Sequence, residues 1–155
     1  GFDFSATSIE LCKRMLATHD VGASLTVEDM TSMSYPTEYF DAVIDVFSSY
    51  CLNDEGHAAF LDGVVRVLKP GGRFFTYTPS KGSSDWTGPG NVQPTPGSAV
   101  VYPNNRYPFR YTSVQELADD LETRRLMVTG AETLRRTYGR GKSAFEFVVV
   151  EAQRH

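Results

Sequence analysis

Residues 39–79 have the sequence YFDAVIDVFSSYCLNDEGHAAFLDGVVRVLKPGGRFFTYTP, and this stretch decides the fold. The near-continuous apolar run over 40–47 is typical of a parallel strand that is covered on both faces. Apolar residues then recur at spacings of three, four and three, which predicts an amphipathic helix. These helical positions are Ala58, Leu61, Val65 and Leu68. Pro70 and the glycines at 71–72 end that helix, and RFFTYTP at 73–79 is the next strand. The stretch therefore predicts a parallel βαβ unit.

The segment before this unit predicts a helix and a short strand. TSIELCKRML at 7–16 has helical spacing, and ASLTVEDM at 23–30 alternates as a strand that ends near Glu28. Thr7 with Glu10 has the spacing of a capping box, while Ser5 is an alternative N-cap residue for the same helix.

The C-terminal third predicts another helix followed by two antiparallel strands. Ser113 and Glu116 have capping-box spacing at the start of TSVQELADDLETRR. The strands LMVTGAETLRRTY (126–138) and SAFEFVVVEAQ (143–153) are joined by GRGK, which suits a hairpin. A parallel sheet that ends in an antiparallel hairpin is an unusual combination, and it narrows the choice of fold.

Composition limits the functional classes. The chain has 155 residues and fits one domain, 1–155, and its net charge of −4 argues against a nucleic-acid or anionic-membrane partner. No apolar run approaches the roughly 18 residues of a transmembrane helix, and no signal peptide is visible, so we expect a cytoplasmic protein. Cys12 and Cys51 match no metal or redox spacing, and we expect no metal site.

Residues 79–111 form an insertion rich in proline, glycine and aromatic residues. A segment this long without clear periodicity is typically a functional lid or a disordered insertion. Its aromatic residues argue against a disordered linker. Two interpretations stay open, a lid or substrate wall and an ordered surface loop. Under the first, Trp86, Tyr107 and Tyr111 are candidate substrate-binding residues.

Taken together, these pieces resemble a class I S-adenosylmethionine-dependent methyltransferase. GFDFS at 1–5 resembles the end of the family's second strand, and VEDM at 27–30 the end of its third. FDAVIDVFSSYCL at 40–52 resembles the fourth strand and the loop beside the methyl donor. RVLKPGGRFF at 66–75 and the final hairpin resemble the fifth strand and the antiparallel pair that closes the sheet. The resemblance implies a Rossmann-like α/β sheet, mostly parallel, with an antiparallel C-terminal hairpin.

The same resemblance implies a cofactor site for S-adenosyl-L-methionine. Asp3 would hold the ribose hydroxyls, with Phe4 beside it, and Asp29 would accept from the adenine amino group, with Met30 packing on the base. Phe47 and Ser48 would lie where the fourth strand meets the cofactor. Asp45 also belongs to this set, and it is the one weak candidate for a catalytic residue.

In one respect the sequence departs from the family pattern. The first strand, its glycine-rich turn and the following helix have no counterpart, so we expect an N-terminally truncated fold, and S-adenosylmethionine binding by this chain alone stays open. Three explanations remain. The natural protein contains the segment, or the third strand pairs directly with the fourth, or two copies cover the exposed edges as a homodimer.

The predicted function is methyl transfer to a small-molecule acceptor. The alternative is a non-catalytic methyltransferase-like remnant that serves in assembly or binds another ligand. A nicotinamide-dependent dehydrogenase shares the acid after the second strand, but LKPGG and the final hairpin do not fit it.

Overall fold

The computed structural model describes residues 1–87, 99–100 and 108–155. The strands are β1 Phe2–Asp3, β2 Thr26–Val27, β3 Phe40–Val46, β4 Leu68–Pro79, β5 Ala99–Val100, β6 Phe109–Arg110, β7 Leu126–Tyr138 and β8 Ser143–Arg154. The α-helices are α1 Ala6–Thr18, α2 Asp54–Val67, α3 Ser84–Thr87 and α4 Val114–Glu122. Short 3-10 helices span Met30–Ser32, Ser49–Cys51 and Gly139–Gly141.

The main sheet has four strands in the order β3-β4-β8-β7. β3 and β4 are parallel, and β8 is antiparallel to both β4 and β7. The α/β fold, the parallel βαβ unit and the terminal hairpin expected from the sequence are therefore confirmed.

The glycine pair that was predicted to separate helix from strand lies inside β4 as a bulge. Phe40 pairs with Leu68 but Ala42 pairs with Arg73, so four residues of β4 lie opposite one residue of β3. Gly71 has a φ of +77°, which glycine adopts without strain. A Cβ at Gly72 would lie 2.8 Å from the Lys69 carbonyl oxygen. The helix ends at Val67, so Leu68, which was predicted as a helical position, is instead the first residue of β4. The strand therefore begins five residues earlier than RFFTYTP, because the bulge is accommodated within the ladder.

β1 and β2 form a separate parallel pair, with Phe2 opposite Thr26 and Asp3 opposite Val27. Among the described strands, β2 does not pair with β3. The proposal that the third family strand closes directly on the fourth is therefore wrong.

β3 is less covered than its apolar sequence predicts. Ile44 is 71% exposed and Val46 49% exposed, whereas Asp45 is only 4% exposed. The sequence predicted that β3 is covered on both faces, and this prediction is wrong. Within the described residues, β3 hydrogen-bonds to β4 alone and one of its edges is left unpaired.

The core lies between the four-stranded sheet and the two helices α2 and α4. Its buried side chains include residues of α2 (Leu61, Val64), α4 (Leu121), β4 (Phe74) and β8 (Val148, Val150). Ser113 caps α4 in the predicted capping box with Glu116, and Ser5 is the N-cap residue of α1. In the described part of the chain, no helix is both long enough and apolar enough to cross a bilayer.

Candidate active site

A groove separates the pair β1–β2 from the main sheet. Its cavity volume is ≈550 Å³, within the usual size range of small-molecule sites. Residues of β1 and β3, and of the segments that follow β1, β2 and β3, line it. The carboxyl ends of parallel strands are where open α/β sheets bind ligands, so this groove is the candidate active site.

The structure brings most of the predicted cofactor residues to this one groove. The residues of that set that line it are Asp3, Phe4, Met30, Asp45, Phe47 and Ser48. Asp29 is the exception. Its neighbours Glu28 and Met30 line the groove, but Asp29 does not.

Asp3 is exposed and lies at the mouth of the groove, at the end of β1. Its Oδ1 accepts from the backbone N–H of Ser5 at 2.7 Å, and Ser5 in turn caps α1. Among the described residues, no hydrogen bond is made to its other oxygen. Asp3 therefore has one carboxylate oxygen that fixes the turn and a second that is available to a hydroxyl group of a ligand.

Asp29 has a structural role that the sequence did not indicate. It is the N-cap residue of the 3-10 helix Met30–Ser32, and its Oδ1 accepts from Thr31 N and Thr31 Oγ1, both at 2.8 Å. Glu28, which the sequence reasoning passed over, lines the groove instead and accepts from the Ser34 hydroxyl. The only sequence signal for Glu28 was that VEDM contains two acids in succession.

The Asp45 carboxylate is buried and fully engaged. Ser48 N (3.2 Å) and Ser49 N (3.1 Å) donate to its Oδ1. Ser49 Oγ (2.5 Å) and Thr76 Oγ1 (2.9 Å) donate to its Oδ2. This arrangement fixes the loop after β3 to the end of β4, and it leaves little of the carboxylate for an acceptor.

Phe47 adopts a backbone conformation that is rare for a bulky residue. Its φ is +54°, and its N–H donates to the Tyr77 carbonyl oxygen at 3.0 Å. A left-handed conformation costs a non-glycine residue about 1–2 kcal/mol. The backbone N–H groups of Ser48 and Ser49 donate to the Asp45 carboxylate and hold the loop in this shape. The strain at Phe47 is therefore imposed by the surrounding structure.

The groove has a thiol at its edge but no activated nucleophile. Cys51 lines the groove, and its Sγ donates to the Ser48 carbonyl oxygen at 3.0 Å. Burial, with the carboxylates of Asp45 and Asp29 adding to it, raises the pKa of the Cys51 thiol. The thiol is therefore neutral at physiological pH. Across the described ranges, no cluster of three His, Cys, Asp or Glu side chains could hold a metal ion.

The three predicted substrate-binding residues have different outcomes. Trp86 is half-buried on α3, with Lys81 Nζ 5.2 Å from its ring centre. Tyr111 packs against Trp86 at 5.5 Å between ring centres but is only 1% exposed, so it belongs to the interior and not to an open surface. Tyr107 and most of the 79–111 insertion lie outside the described residues.

The N-terminal half of the chain is similar in sequence to known methyltransferases. Residues 1–72 match the family model described as a methyltransferase domain. Over 90 residues the chain is 34% identical to phthiotriol/phenolphthiotriol dimycocerosates methyltransferase 1 of Mycobacterium ulcerans. That alignment covers 56% of this chain and 31% of the relative, so the chain spans under a third of the length of this curated relative.

Two solved structures show the same fold at low sequence identity. A SAM-dependent methyltransferase of Methanosarcina mazei superposes with a TM-score of 0.74 at 17% identity, over 99% of this chain and 80% of that one. The 1,6-didemethyltoxoflavin-N1-methyltransferase of Burkholderia thailandensis superposes with a TM-score of 0.65 at 14% identity, over 92% and 56%. The latter structure contains 1,6-didemethyltoxoflavin and S-adenosylhomocysteine.

Fold and family model agree on a Rossmann-like α/β methyltransferase domain. Residues 1–72 thus match a methyltransferase domain, and the described fold is the one that these methyltransferase structures share.

Proposed function

We propose that this chain binds S-adenosyl-L-methionine in the groove and takes part in methyl transfer to a small-molecule acceptor. The observation that carries the proposal is the convergence of Asp3, Met30 and Phe47 on one groove of ≈550 Å³, although they come from three separate segments. The presence of S-adenosylhomocysteine in the Burkholderia structure of the same fold supports the choice of cofactor.

The groove residues fit the nucleoside part of this cofactor. The available oxygen of Asp3 accepts from a ribose hydroxyl, as carboxylates readily do. Met30 and Phe4 supply apolar surface for the base, and Met30 is held by the 3-10 helix that Asp29 caps. The acids Glu28 and Asp45 also line the groove, and among the described lining residues there is no arginine or lysine. This distribution of charge favours the positively charged sulfonium of the cofactor.

When bound, the cofactor supplies an activated methyl group, and the chain has to position the acceptor and exclude water. We assign Asp45 a positioning role and not proton abstraction, because its carboxylate already accepts four hydrogen bonds. Asp45 thereby orients Phe47 and Ser48 at the groove.

Calorimetric titration with S-adenosylhomocysteine tests this proposal. Asp3→Asn should weaken binding about tenfold or more, since a hydrogen bond to a charged group is worth about 1.5–3 kcal/mol. Asp29→Asn should weaken it less, because Asp29 contacts Thr31 and does not line the groove. Glu10→Gln, an exposed acid on α1, is the matched control and should bind as the wild type does.

Absence of binding by a folded wild-type chain would favour the alternative function, a non-catalytic methyltransferase-like domain for assembly or for another ligand. The unpaired edge of β3, with Ile44 71% exposed, is the observation that favours this alternative. An equal loss of affinity in the Asp3 and Glu10 variants would contradict our placement of the cofactor.

A second copy of the chain is the partner that we propose for the exposed edges of β1 and β3 when the groove holds no cofactor, because residues of both strands also line the groove. Unpaired strand edges with apolar side chains readily associate with another chain. Light scattering should then give twice the monomer mass, and Ile44→Lys should return the monomer, whereas Leu11→Lys on α1 should not. A monomeric wild-type chain at high concentration would refute this part of the proposal.

We place the protein in the cytoplasm, with a small molecule as acceptor and without a nucleic-acid or membrane partner. Two unpaired cysteines, Cys12 and Cys51, support a reducing compartment. The net charge of −4 and the acidic groove support a neutral or cationic small molecule over a polyanion.

A further inference from the structure

Five aromatic rings from distant parts of the chain meet beside the groove. We call them the aromatic cluster, and they are Phe47, Tyr50, Tyr77, Phe109 and Phe147. Phe47 is at the centre, with ring centres 5.5 Å from Tyr50, 5.1 Å from Tyr77 and 5.3 Å from Phe147. Tyr77 and Phe147 lie 4.9 Å apart, and Tyr50 and Phe109 lie 4.7 Å apart. These separations are those of attractive ring pairs.

The aromatic cluster is continuous with the groove. Phe47 and Tyr50 belong to the cluster and also line the groove. Tyr77 lies near the carboxyl end of β4, and β8 places Phe147 opposite Pro79, the last residue of that strand. The cluster therefore begins at the carboxyl ends of the parallel strands, where a molecule that reacts with a ligand in the groove would have to lie.

All five rings are half-buried. They pack against one another, yet each retains accessible surface. By comparison, the core buries Phe74 to 1% exposure. The aromatic cluster thus presents a partly open apolar surface.

The backbone at Phe47 favours a role beyond packing. Its φ of +54° is strained. The conformation is maintained by two hydrogen bonds, from the Phe47 N–H to the Tyr77 carbonyl oxygen and from the Ser48 N–H to the Asp45 carboxylate. Strained residues that the surrounding structure holds in place are concentrated at functional sites. Here the strained backbone conformation places the Phe47 ring between the groove and the aromatic cluster.

Charge near the aromatic cluster is neutralised locally. Arg110, which follows Phe109, is paired with Asp54, and Lys81 is paired with Glu116. The surface therefore favours a neutral apolar group over an ionic one.

From these observations we propose that the aromatic cluster binds the methyl acceptor, and that the acceptor is a neutral molecule with an extended apolar part. This inference rests on the proposed function, because it places the acceptor next to the cofactor groove. Both an aromatic ring and an alkyl chain would provide such a neutral apolar part, and titration with one probe of each kind distinguishes them.

The test is calorimetric titration with decan-1-ol and with 2-naphthol, in the presence of saturating S-adenosylhomocysteine. At least one probe should bind to the wild type. Phe147→Leu retains apolar volume but removes a ring, so it should weaken 2-naphthol about fivefold or more while changing decan-1-ol little. Phe147→Ser should weaken both probes about tenfold. Far-ultraviolet circular dichroism of each variant checks that it is folded.

Tyr39→Ala is the matched control for the loss of an aromatic ring. Tyr39 is 55% exposed and immediately precedes β3, at the end of the strand opposite to Phe47. Its removal should leave the affinity for both probes unchanged.

The outcomes separate this inference from the proposed function. If S-adenosylhomocysteine binds but neither probe does, or if Tyr39→Ala weakens the probes as strongly as Phe147→Ser, the acceptor assignment is wrong and the cofactor site stands. If S-adenosylhomocysteine does not bind to the folded chain, the proposed function fails, and the acceptor assignment fails with it.

Discussion

Asp45 and Thr76 join the carboxyl ends of two neighbouring parallel strands, through a hydrogen bond of 2.9 Å from Thr76 Oγ1 to Asp45 Oδ2. They face each other directly in the register of β3 and β4, and both are buried. The carboxylate also holds Ser49, so one buried acid links a strand end, the adjacent strand and the loop at the groove.

Replacing Asp45 by Ala should destabilise the fold by about 2–4 kcal/mol, because several donors lose a charged acceptor in a buried site. Urea unfolding measures the change in the free energy of unfolding. Asp41→Ala in the same strand is the control and should leave the free energy of unfolding nearly unchanged, since the Asp41 side chain is exposed and its pair with Lys69 lies at the surface. Similar costs for both variants would contradict the role given to Asp45.

The strain at Phe47 makes a prediction about a pair of variants. Phe47→Gly should be more stable than Phe47→Ala by about 1 kcal/mol, because glycine adopts a φ of +54° without the penalty that alanine incurs. Both variants lose the ring, so their difference isolates the backbone. Thermal unfolding of the two proteins side by side is the measurement, and an alanine variant equal to or better than glycine would show that Phe47 is not strained in solution.

Stability should depend on pH through His57. Burial foremost, with the positive charges of Arg110 and Arg124, lowers the pKa of His57 to about 3. The unfolded state takes up a proton near its usual pKa of about 6.5 while the folded state does not, so stability falls as pH decreases from about 6.5 towards 3.

The slope expected from His57 alone is up to about 1.4 kcal/mol per pH unit in this window. His57→Gln should therefore have a flatter dependence of unfolding free energy on pH than the wild type. His19→Gln, at an exposed position, should follow the wild-type curve. Parallel curves for wild type and His57→Gln would show that His57 is protonated in the folded protein.

The bulge in β4 requires glycine at position 72. Gly72→Ala should destabilise the fold by about 1–3 kcal/mol, because the new Cβ would lie 2.8 Å from a backbone oxygen of Lys69. Gly22→Ala is the control, as a Cβ there meets nothing within 4 Å, and it should be neutral or slightly stabilising. Chemical denaturation distinguishes the two, and an unchanged Gly72→Ala midpoint would mean that the bulge can relax.

Much of the fold could be predicted because its signals are local. Apolar spacing gave α2, the run RFFTYTP gave most of β4, and GRGK gave the hairpin between β7 and β8. The burial of the strand β3 was predicted wrongly. The apolar sequence of β3 predicted burial on both faces, but burial depends on which elements pack beside the strand, and that is not encoded in the strand itself.

The candidate site was also predicted only in part. Family resemblance selected six residues that the fold does bring together at the groove. It could not show that the carboxylates of Asp29 and Asp45 are directed to Thr31 and Thr76, since both acids occupy the ends of strands where a ligand contact and a structural hydrogen bond leave the same pattern in the sequence.

The sequence by itself determined the βαβ unit, the Ser113–Glu116 capping box and the antiparallel hairpin, because hydrophobic periodicity and turn chemistry act over a few neighbouring residues. Only the tertiary structure decided that Asp45 is enclosed by hydrogen bonds and that Phe47 contacts Phe147 across a hundred residues of chain. Those contacts depend on strand register and on side-chain packing between distant segments, which no local pattern specifies.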